Sequence, residues 1–407
     1  MRIHPYAALR PREDLVSEIA APPYDTVDSA EARALAAGNA KSFLHVNRPE
    51  IDLPEGTDLY SDAVYDTAAA NFARFEREGW LVRDSRPYMY LYAQTMGDHT
   101  QTGLVACCHI DDYVNNVIKK HELTRKDKED DRTRHTAAIN ANIGPVFIAY
   151  RDRPEIDAFL APIAAGAPLY DFVDELSVRH RVWRVEDTAT AERLFAAIPV
   201  SYIADGHHRS ASAVRVGTER RAANPHHTGA EEYNWFLAVL FPASQLRILP
   251  YNRAVKDLNG LAPDAFLAKV KTLFDVSETA VAPSPTSPRN VSMYLAGKWY
   301  ALSWPEDPAA VPVHRLDVST LQEKVLAPLL GIDDPRTNPR IKFIGGIRGT
   351  GELVRLVDEC GYAVAFSMYP TTLDQLMAIA DACQIMPPKS TWFEPKLRTG
   401  LLNHELD

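Results

Sequence analysis

Cysteine is scarce in this sequence, and the four cysteines that occur are poorly placed for pairing. Cys107 and Cys108 are adjacent, whereas Cys360 and Cys383 lie far from them and from each other. This spacing gives neither the framework of a disulfide-stapled domain nor a CxxC metal motif. We therefore expect the cysteines to be buried free thiols.

A surplus of positive charge is also absent, because 54 acidic residues outnumber 44 basic ones and give a formal net charge of −10 at pH 7. A general nucleic-acid binder needs clustered Lys and Arg to neutralise phosphates, so we expect no nucleic-acid partner. A local basic pocket for a small anion is still compatible with an acidic chain.

Long apolar runs are missing as well. No stretch approaches the length of a membrane span, and the segment from Met1 to Tyr6 has no apolar core or small-residue cleavage site. We expect a cytoplasmic protein with no membrane partner.

The chain has an ordinary globular composition, with 46% hydrophobic and 9% aromatic residues among 407, enough for sizeable cores. Strand and helix patterns mix without strict alternation, which predicts an α+β or mixed α/β fold. The character changes near residue 246, after which come a helix, a Pro/Ser/Thr-rich loop at 282–288 and a hairpin at 291–304. We predict a main domain over residues 1–245 and a smaller α+β region over residues 246–407.

Residues 200–217 read as a short apolar strand, a tight turn and a helix from about Ser210. The first turn of a helix has unpaired N–H groups and the positive end of the helix dipole, so it attracts anions. The candidate phosphate-binding residues at this point, here called the box, are Asp205, Gly206, His207, His208 and Arg209. In the alternative interpretation, Asp205 merely caps the helix and the histidines are surface residues.

Two segments before the box carry further candidates. Pro22 and Pro23 stiffen a loop that presents Asp25, although this carboxylate is also placed to cap the following helix. His121 and Glu122 precede a charged run at 125–134, which is either a solvated face or a segment folded over a pocket.

The pair His121 and Glu122 does not form the zinc motif of metalloproteases. That motif requires a second histidine one helical turn later, and residue 125 is Arg. We therefore predict no metal ligands. Near the other end of the chain, the Pro-rich loop 387–396 is predicted to lack regular structure. Its residues able to contact a ligand are Lys389, Ser390, Trp392 and Lys396.

Four separated motifs occur in the order found in one family, and through them nearly the whole chain resembles the bacterial and archaeal domain of unknown function 1015 family. The motifs are Ala21 to Asp25, Lys120 to Thr124 with Asp131 and Arg132, Tyr202 to Arg209, and Pro388 to Lys396. The box also resembles the phosphate-binding box of the ParB/sulfiredoxin-like superfamily, particularly its free-serine kinases. This resemblance implies a ParB/sulfiredoxin-like core around the box.

The resemblance further implies a nucleotide-dependent kinase of a small hydroxyl compound such as free serine, using Mg²⁺ with ATP or ADP. In such an enzyme the box would hold the nucleotide phosphates together with Arg132, Lys389 and Ser390. Glu122 or Asp25 would be the general base, and His121 and His207 are further catalytic candidates. The alternative is a regulatory protein that binds nucleotide or phosphate through the box without transferring it.

Overall fold

The computed structural model describes residues 1–279 and 284–407, so Ala282 and Pro283 of the predicted loop lie outside the described residues. Contacts divide the chain into two compact units. The first is Met1–Leu246 with Pro395–Asp407, and the second is Arg247–Glu394. Residues 395–407, which the sequence analysis assigned to the second region, therefore pack with the first unit.

The fold is mixed α/β, as predicted. The helices, numbered in chain order, are α1 (Val16–Ile19), α2 (Ser29–Ala36), α3 (Leu44–Asn47), α4 (Asp62–Arg77), α5 (Ile110–Val114), α6 (Lys126–Ile139), α7 (Pro154–Ala164), α8 (Thr188–Ala196), α9 (His207–Ala223), α10 (Pro263–Val270), α11 (Asp317–Leu321), α12 (Gly349–Glu359) and α13 (Leu373–Asp381). None of the helices in the described ranges is long and apolar enough to cross a membrane.

The strands, also numbered in chain order, are β1 (Ile3–His4), β2 (Leu9–Pro11), β3 (Leu81–Arg83), β4 (Met89–Met96), β5 (His99–His109), β6 (Ile118–Lys119), β7 (Ala141–Asn142), β8 (Val146–Tyr150), β9 (Tyr170–Val173), β10 (Arg179–Val185), β11 (Ser201–Asp205), β12 (Trp235–Pro242), β13 (Arg247–Leu249), β14 (Tyr251–Val255), β15 (Asp275–Thr279), β16 (Asn290–Leu295), β17 (Lys298–Ser303), β18 (Ile341–Gly345), β19 (Val364–Met368), β20 (Trp392–Glu394) and β21 (His404–Glu405).

The first unit is built on a nine-stranded sheet in the order β6-β11-β8-β12-β5-β4-β10-β9, with β1 added to β5. Strands β8 and β12 are almost continuously apolar and buried along their length, as expected for strands covered on both faces. They pair in parallel, and β11 pairs in parallel with β6. The remaining pairs in this sheet are antiparallel, including the predicted hairpin of β4 and β5.

The charged run before the box forms part of α6. Its sequence shows no apolar periodicity, yet α6 packs against both α4 and α9. Ion pairs join its exposed side to these neighbours, such as Asp130 with Arg215 of α9 and Arg134 with Asp62 of α4. The run is therefore a helix that lies over the box helix, and its few buried side chains include His135 and Ile139.

The second unit contains a six-stranded antiparallel sheet in the order β15-β17-β16-β19-β14-β18. Helix α12 packs its Leu353 and Leu356 against this sheet, next to Tyr294 and Trp299. Helix α11 continues into a π-helical turn at 322–326. The loop 387–396, predicted to lack regular structure, contains β20, which pairs with β13.

The prediction for the cysteines is right for one pair and wrong for the other. Cys107 and Cys108 are buried in β5, whereas Cys360 and Cys383 are exposed. The exposed pair lies just beyond the C-terminal ends of α12 and α13, where the chain turns at the surface.

Candidate functional site

The box lies where β11 ends and α9 begins. The pairing of β11 with β8 shifts register between Ile203 and Asp205, and Gly206 follows with a φ of 93°. A positive φ is the conformation that glycine adopts at little cost, and it lets the chain turn sharply from strand to helix. Helix α9 then begins at His207, three residues earlier than predicted, so the first N–H groups of a long helix lie at the box.

Parallel pairing explains how the motif at residues 120–124 reaches the same place. Tyr202 of β11 is in register with Lys119 of β6, and both strands run in the same direction. Residues that follow their carboxyl ends therefore meet at one edge of the sheet. This brings His121 and Glu122 next to His207.

The rings of His121 and His207 are perpendicular, with centroids 4.5 Å apart, and both side chains are buried. Burial lowers the pKa of His121 to about 4, against the opposing effects of the Ile203 carbonyl and the Asp205 carboxylate. Burial and the neighbouring His121 lower the pKa of His207. Both imidazoles are therefore neutral at pH 7, available as proton acceptors or metal ligands.

Asp205 is held between two cations. Its Oδ1 accepts a hydrogen bond from Lys396 Nζ at 3.0 Å, and its Oδ2 accepts one from Arg209 Nη2 at 2.7 Å. Burial opposes ionisation, but Lys396 and Arg209 outweigh it and hold the pKa of this carboxyl well below its usual value. The N-cap residue of α9 is Gly206 and not Asp205, and at this cap no side chain accepts a hydrogen bond from the first N–H groups of the helix. The capping interpretation is therefore wrong.

Arg209 folds back over the start of its own helix. A Cβ at Gly206 would lie 3.1 Å from Arg209 Cζ, and one at Gly144 would lie 3.3 Å from Arg209 Cδ. The guanidinium donates to the carbonyl of Pro145 as well as to Asp205. Its Nε has no hydrogen-bond partner in the described part of the chain, so one donor is unused.

A small cleft beside the box brings together Arg209 and Arg132. Arg132 comes from α6, where Asp131 accepts a hydrogen bond from its Nε at 2.9 Å, and its guanidinium stacks over Tyr24 at 4.2 Å. The other lining residues are Pro23, Asn47, His135, Thr136, Asn142, Ile143, Gly144 and Thr399. Two guanidinium groups with amide and hydroxyl neighbours form a surface suited to a phosphate or carboxylate.

Two further predicted residues lie near these groups, and two lie in the other unit. Asp25 is exposed and follows Tyr24 directly, and His208 Nε2 accepts the N–H of Arg125 at 3.0 Å. Lys389 and Ser390 belong to the second unit. There the buried Ser390 hydroxyl donates to the Pro387 carbonyl, and the Lys389 carbonyl accepts from Arg253. Their roles in phosphate binding remain predictions.

Sequence reasoning did not identify several residues of the site. His121, Glu122 and His207 each offer one donor atom within 4.8 Å of the others, although no metal ligands were predicted. In the metalloprotease motif the second histidine lies one helical turn after the first. Here the second histidine is His207, at the start of α9 and distant from His121 in the sequence. Lys396 was predicted as a possible ligand contact but not as a partner of Asp205, and Asn142 and Thr399 gave no signal of their own.

Residues 3–319 match the family described as "Protein of unknown function (DUF1015)". The chain belongs to this family. Its predicted membership is thereby confirmed. None of the curated proteins matches this chain.

The solved structures that are similar to the chain have low identity to it, and they include the following three. One is a free serine kinase in complex with AMP, with 11% identity, a TM-score of 0.39, and coverage of 71% of this chain and 86% of that one. SbnI with a C-terminal truncation, from Staphylococcus aureus, has 11% identity, a TM-score of 0.39, and coverage of 72% and 84%. A conserved hypothetical protein from Pyrococcus furiosus has 12% identity, a TM-score of 0.37, and coverage of 72% and 92%.

Proposed function

We propose that this member of the DUF1015 family binds the phosphates of a nucleotide at the box and transfers a phosphoryl group to a small hydroxyl compound. The observation that carries the proposal is the pair of guanidinium groups, Arg132 and Arg209, that line one cleft at the start of α9. Each comes from a different family motif, and each is held in place by an aspartate. Fixed cations beside a helix N-terminus are what phosphate binding requires.

Phosphoryl transfer depends mainly on positioning and on stabilising the charge of the transferred group. Arg209 is fixed by Asp205 and by the Pro145 carbonyl, so little further ordering is needed when a phosphate binds. Arg132 is fixed by Asp131 and Tyr24. The two side chains would form a preorganised site for negative charge.

Two carboxylates are candidates for the general base that accepts the hydroxyl proton. Glu122 lies beside His121 and His207, and Asp25 follows Tyr24 at the cleft. Free serine is the first acceptor to test because the box resembles that of free-serine kinases. ATP and ADP are the proposed phosphoryl donors.

The proposed Mg²⁺ would enter with the nucleotide. Mg²⁺ takes oxygen ligands and is commonly held by one or two carboxylates plus substrate phosphates. The imidazoles of His121 and His207 do not suit this ion, so the nucleotide phosphates would supply most of its ligands. When bound, Mg²⁺ would neutralise charge on the phosphates, and the arginines would orient them.

Nucleotide affinity tests the cleft. Arg209→Ala should weaken ATP or ADP binding by about 10- to 100-fold, because a charge-assisted hydrogen bond contributes about 1.5–3 kcal/mol. Arg215→Ala is the matched control, since Arg215 lies further along α9 and pairs with Asp130 and Glu219 on the exposed side. Calorimetry measures the nucleotide affinity of both variants. Equal affinities of Arg209→Ala and Arg215→Ala would show that the cleft is not the phosphate site.

Turnover separates transfer from simple binding. Glu122→Gln keeps the shape of the side chain but removes the proton acceptor, so phosphoryl transfer to free serine should fall by about 10²–10⁴ with little change in nucleotide affinity. If this variant keeps full activity, Asp25 becomes the base, to be tested in the same way. Nucleotide binding without transfer to any hydroxyl compound in an amino-acid panel would favour the regulatory alternative.

A further inference from the structure

The group His121, Glu122 and His207 combines three potential metal-ligand side chains from two distant segments. One donor atom of each lies within 4.8 Å of the other two. In a tetrahedral zinc site with bonds of about 2.0 Å, the donors lie roughly 3.3 Å apart. Small side-chain rotations are therefore enough to bring these three donors around one ion.

The hydrogen bonding of the two histidines points to a missing ligand. Both ring nitrogens of His121 and Nε2 of His207 are buried and meet no hydrogen-bond partner in distance and angle within the described residues, although the Ile203 carbonyl lies near enough to His121 to act on its pKa. His121 is 1% exposed and His207 is 6% exposed. Leaving a buried polar group unsatisfied costs about 1–3 kcal/mol. Unsatisfied nitrogens on two neighbouring buried imidazoles, beside a carboxylate, are poorly explained by packing alone.

We propose that His121, Glu122 and His207 bind one divalent transition-metal ion of the zinc type. Two imidazoles and one carboxylate are the donors that Zn²⁺ and Co²⁺ take, whereas Mg²⁺ and Ca²⁺ prefer oxygen ligands alone. Three protein ligands leave a fourth position open for water or for an oxygen of a bound ligand.

The metal site stands independently of the proposed phosphate cleft, because its donors do not include Arg132 or Arg209. The two proposals meet at one residue. With the ion bound, Glu122 is a ligand, and Asp25 is then the candidate general base.

Metal affinity in the absence of nucleotide tests the inference. Chelator-treated full-length protein should bind one Zn²⁺ per chain in calorimetry, and Co²⁺ should give the visible absorption of a low-coordinate site. Mg²⁺ should not compete. His121→Ala, His207→Ala and Glu122→Gln should each weaken Zn²⁺ binding by at least about tenfold. The control His226→Ala, an exposed histidine outside the group, should bind as the wild type does.

X-ray absorption of the zinc-loaded wild-type protein covers the case in which a histidine variant does not fold. The expected first shell contains nitrogen and oxygen, with two imidazoles and no sulfur. Sulfur in that shell would assign the ion to the exposed Cys360 or Cys383 and overturn the inference. Absence of Zn²⁺ binding by the wild type would overturn the inference too. So would a Zn²⁺ affinity equal to that of the wild type in folded His121→Ala and His207→Ala. None of these measurements uses nucleotide, so the kinase proposal is tested separately.

Discussion

Gly206 determines where Arg209 lies relative to the end of β11. Its φ of 93° is unfavourable for any residue with a Cβ, and a Cβ there would press on the Arg209 guanidinium at 3.1 Å. Gly206→Ala should lower the free energy of unfolding by about 1–2 kcal/mol and weaken nucleotide binding. Thermal unfolding and calorimetry measure the two effects.

A control for this substitution exists in the second unit. Gly351 lies in α12 without a positive φ, and a Cβ added there would meet no neighbouring atom within 4 Å. Gly351→Ala should leave stability unchanged or raise it by about 0.5–1 kcal/mol, because alanine favours helix. A Gly206→Ala protein as stable and as active as the Gly351→Ala protein would contradict the role given to Gly206.

Asp317 makes stability depend on pH in the second unit. Burial raises the pKa of its carboxyl to about 6, against the opposing N–H groups of Arg289 and Asn290. The folded state thus binds the proton more tightly than the unfolded state. The stabilising contribution is complete below the ordinary pKa near 4 and is lost as the pH rises through 6, by about 3 kcal/mol in total.

Asp317→Asn isolates this contribution. The wild type should lose more of its thermal stability between pH 4 and pH 7 than Asp317→Asn does, because the amide does not titrate. The difference between the two pH profiles is the quantity to measure, since other titrating groups cancel in it. Parallel profiles would show that Asp317 titrates normally in the folded protein.

At the scale of elements, the C-terminal segment is joined to the end of β11 by one ion pair. Lys396 Nζ lies 3.0 Å from Asp205 Oδ1, in a partly buried setting where breaking a charged hydrogen bond costs about 1–3 kcal/mol. Lys396→Met should lower the unfolding temperature and leave Asp205 paired with Arg209 alone. A double-mutant cycle with Asp205→Asn measures the coupling, and additive effects would refute the pairing.

Helix α6 shows why an element can form without a helical apolar pattern. Its sequence from Lys126 to Arg134 is almost wholly charged, so no hydrophobic face was visible. The helix forms because α4 and α9 pack against it and because ion pairs such as Lys126 with Asp130 lie one turn apart. Its packing brings Asp131 and Arg132 to the cleft.

At the scale of the whole molecule, residues 395–407 complete the first unit. Strand β21 pairs with β7, and backbone hydrogen bonds join Asn403 to Leu9 and Thr399 to Ala21. A chain that ends at residue 394 should therefore lose protection from hydrogen exchange in the first unit, while β14 to β19 of the second unit stay protected. Removal of the exposed Asp407 alone is the control and should change little. Equal protection of the first unit in both truncated chains would contradict this assignment.

The order of four motifs along the chain was enough to determine the family. Local sequence was enough to determine the strand, turn and helix of the box and the hairpin of β4 and β5. These features depend on turn residues and on periodicities within about 20 residues, which the printed sequence shows directly. It also placed His121, Glu122, Arg132 and Arg209 among the site candidates, because chemically capable residues were grouped in motifs.

Only the tertiary structure decided which of these residues meet. The parallel pairing of β6 with β11 sets His121 beside His207, and the return of the C-terminus sets Lys396 on Asp205; neither is coded by local spacing. Burial likewise decided that the histidines are neutral, since desolvation depends on what packs around a ring and not on its neighbours in the chain. The exposure of Cys360 and Cys383 was likewise decided by the tertiary structure. Both lie beyond the ends of surface helices, and only the assembled fold defines which helix ends lie at the surface.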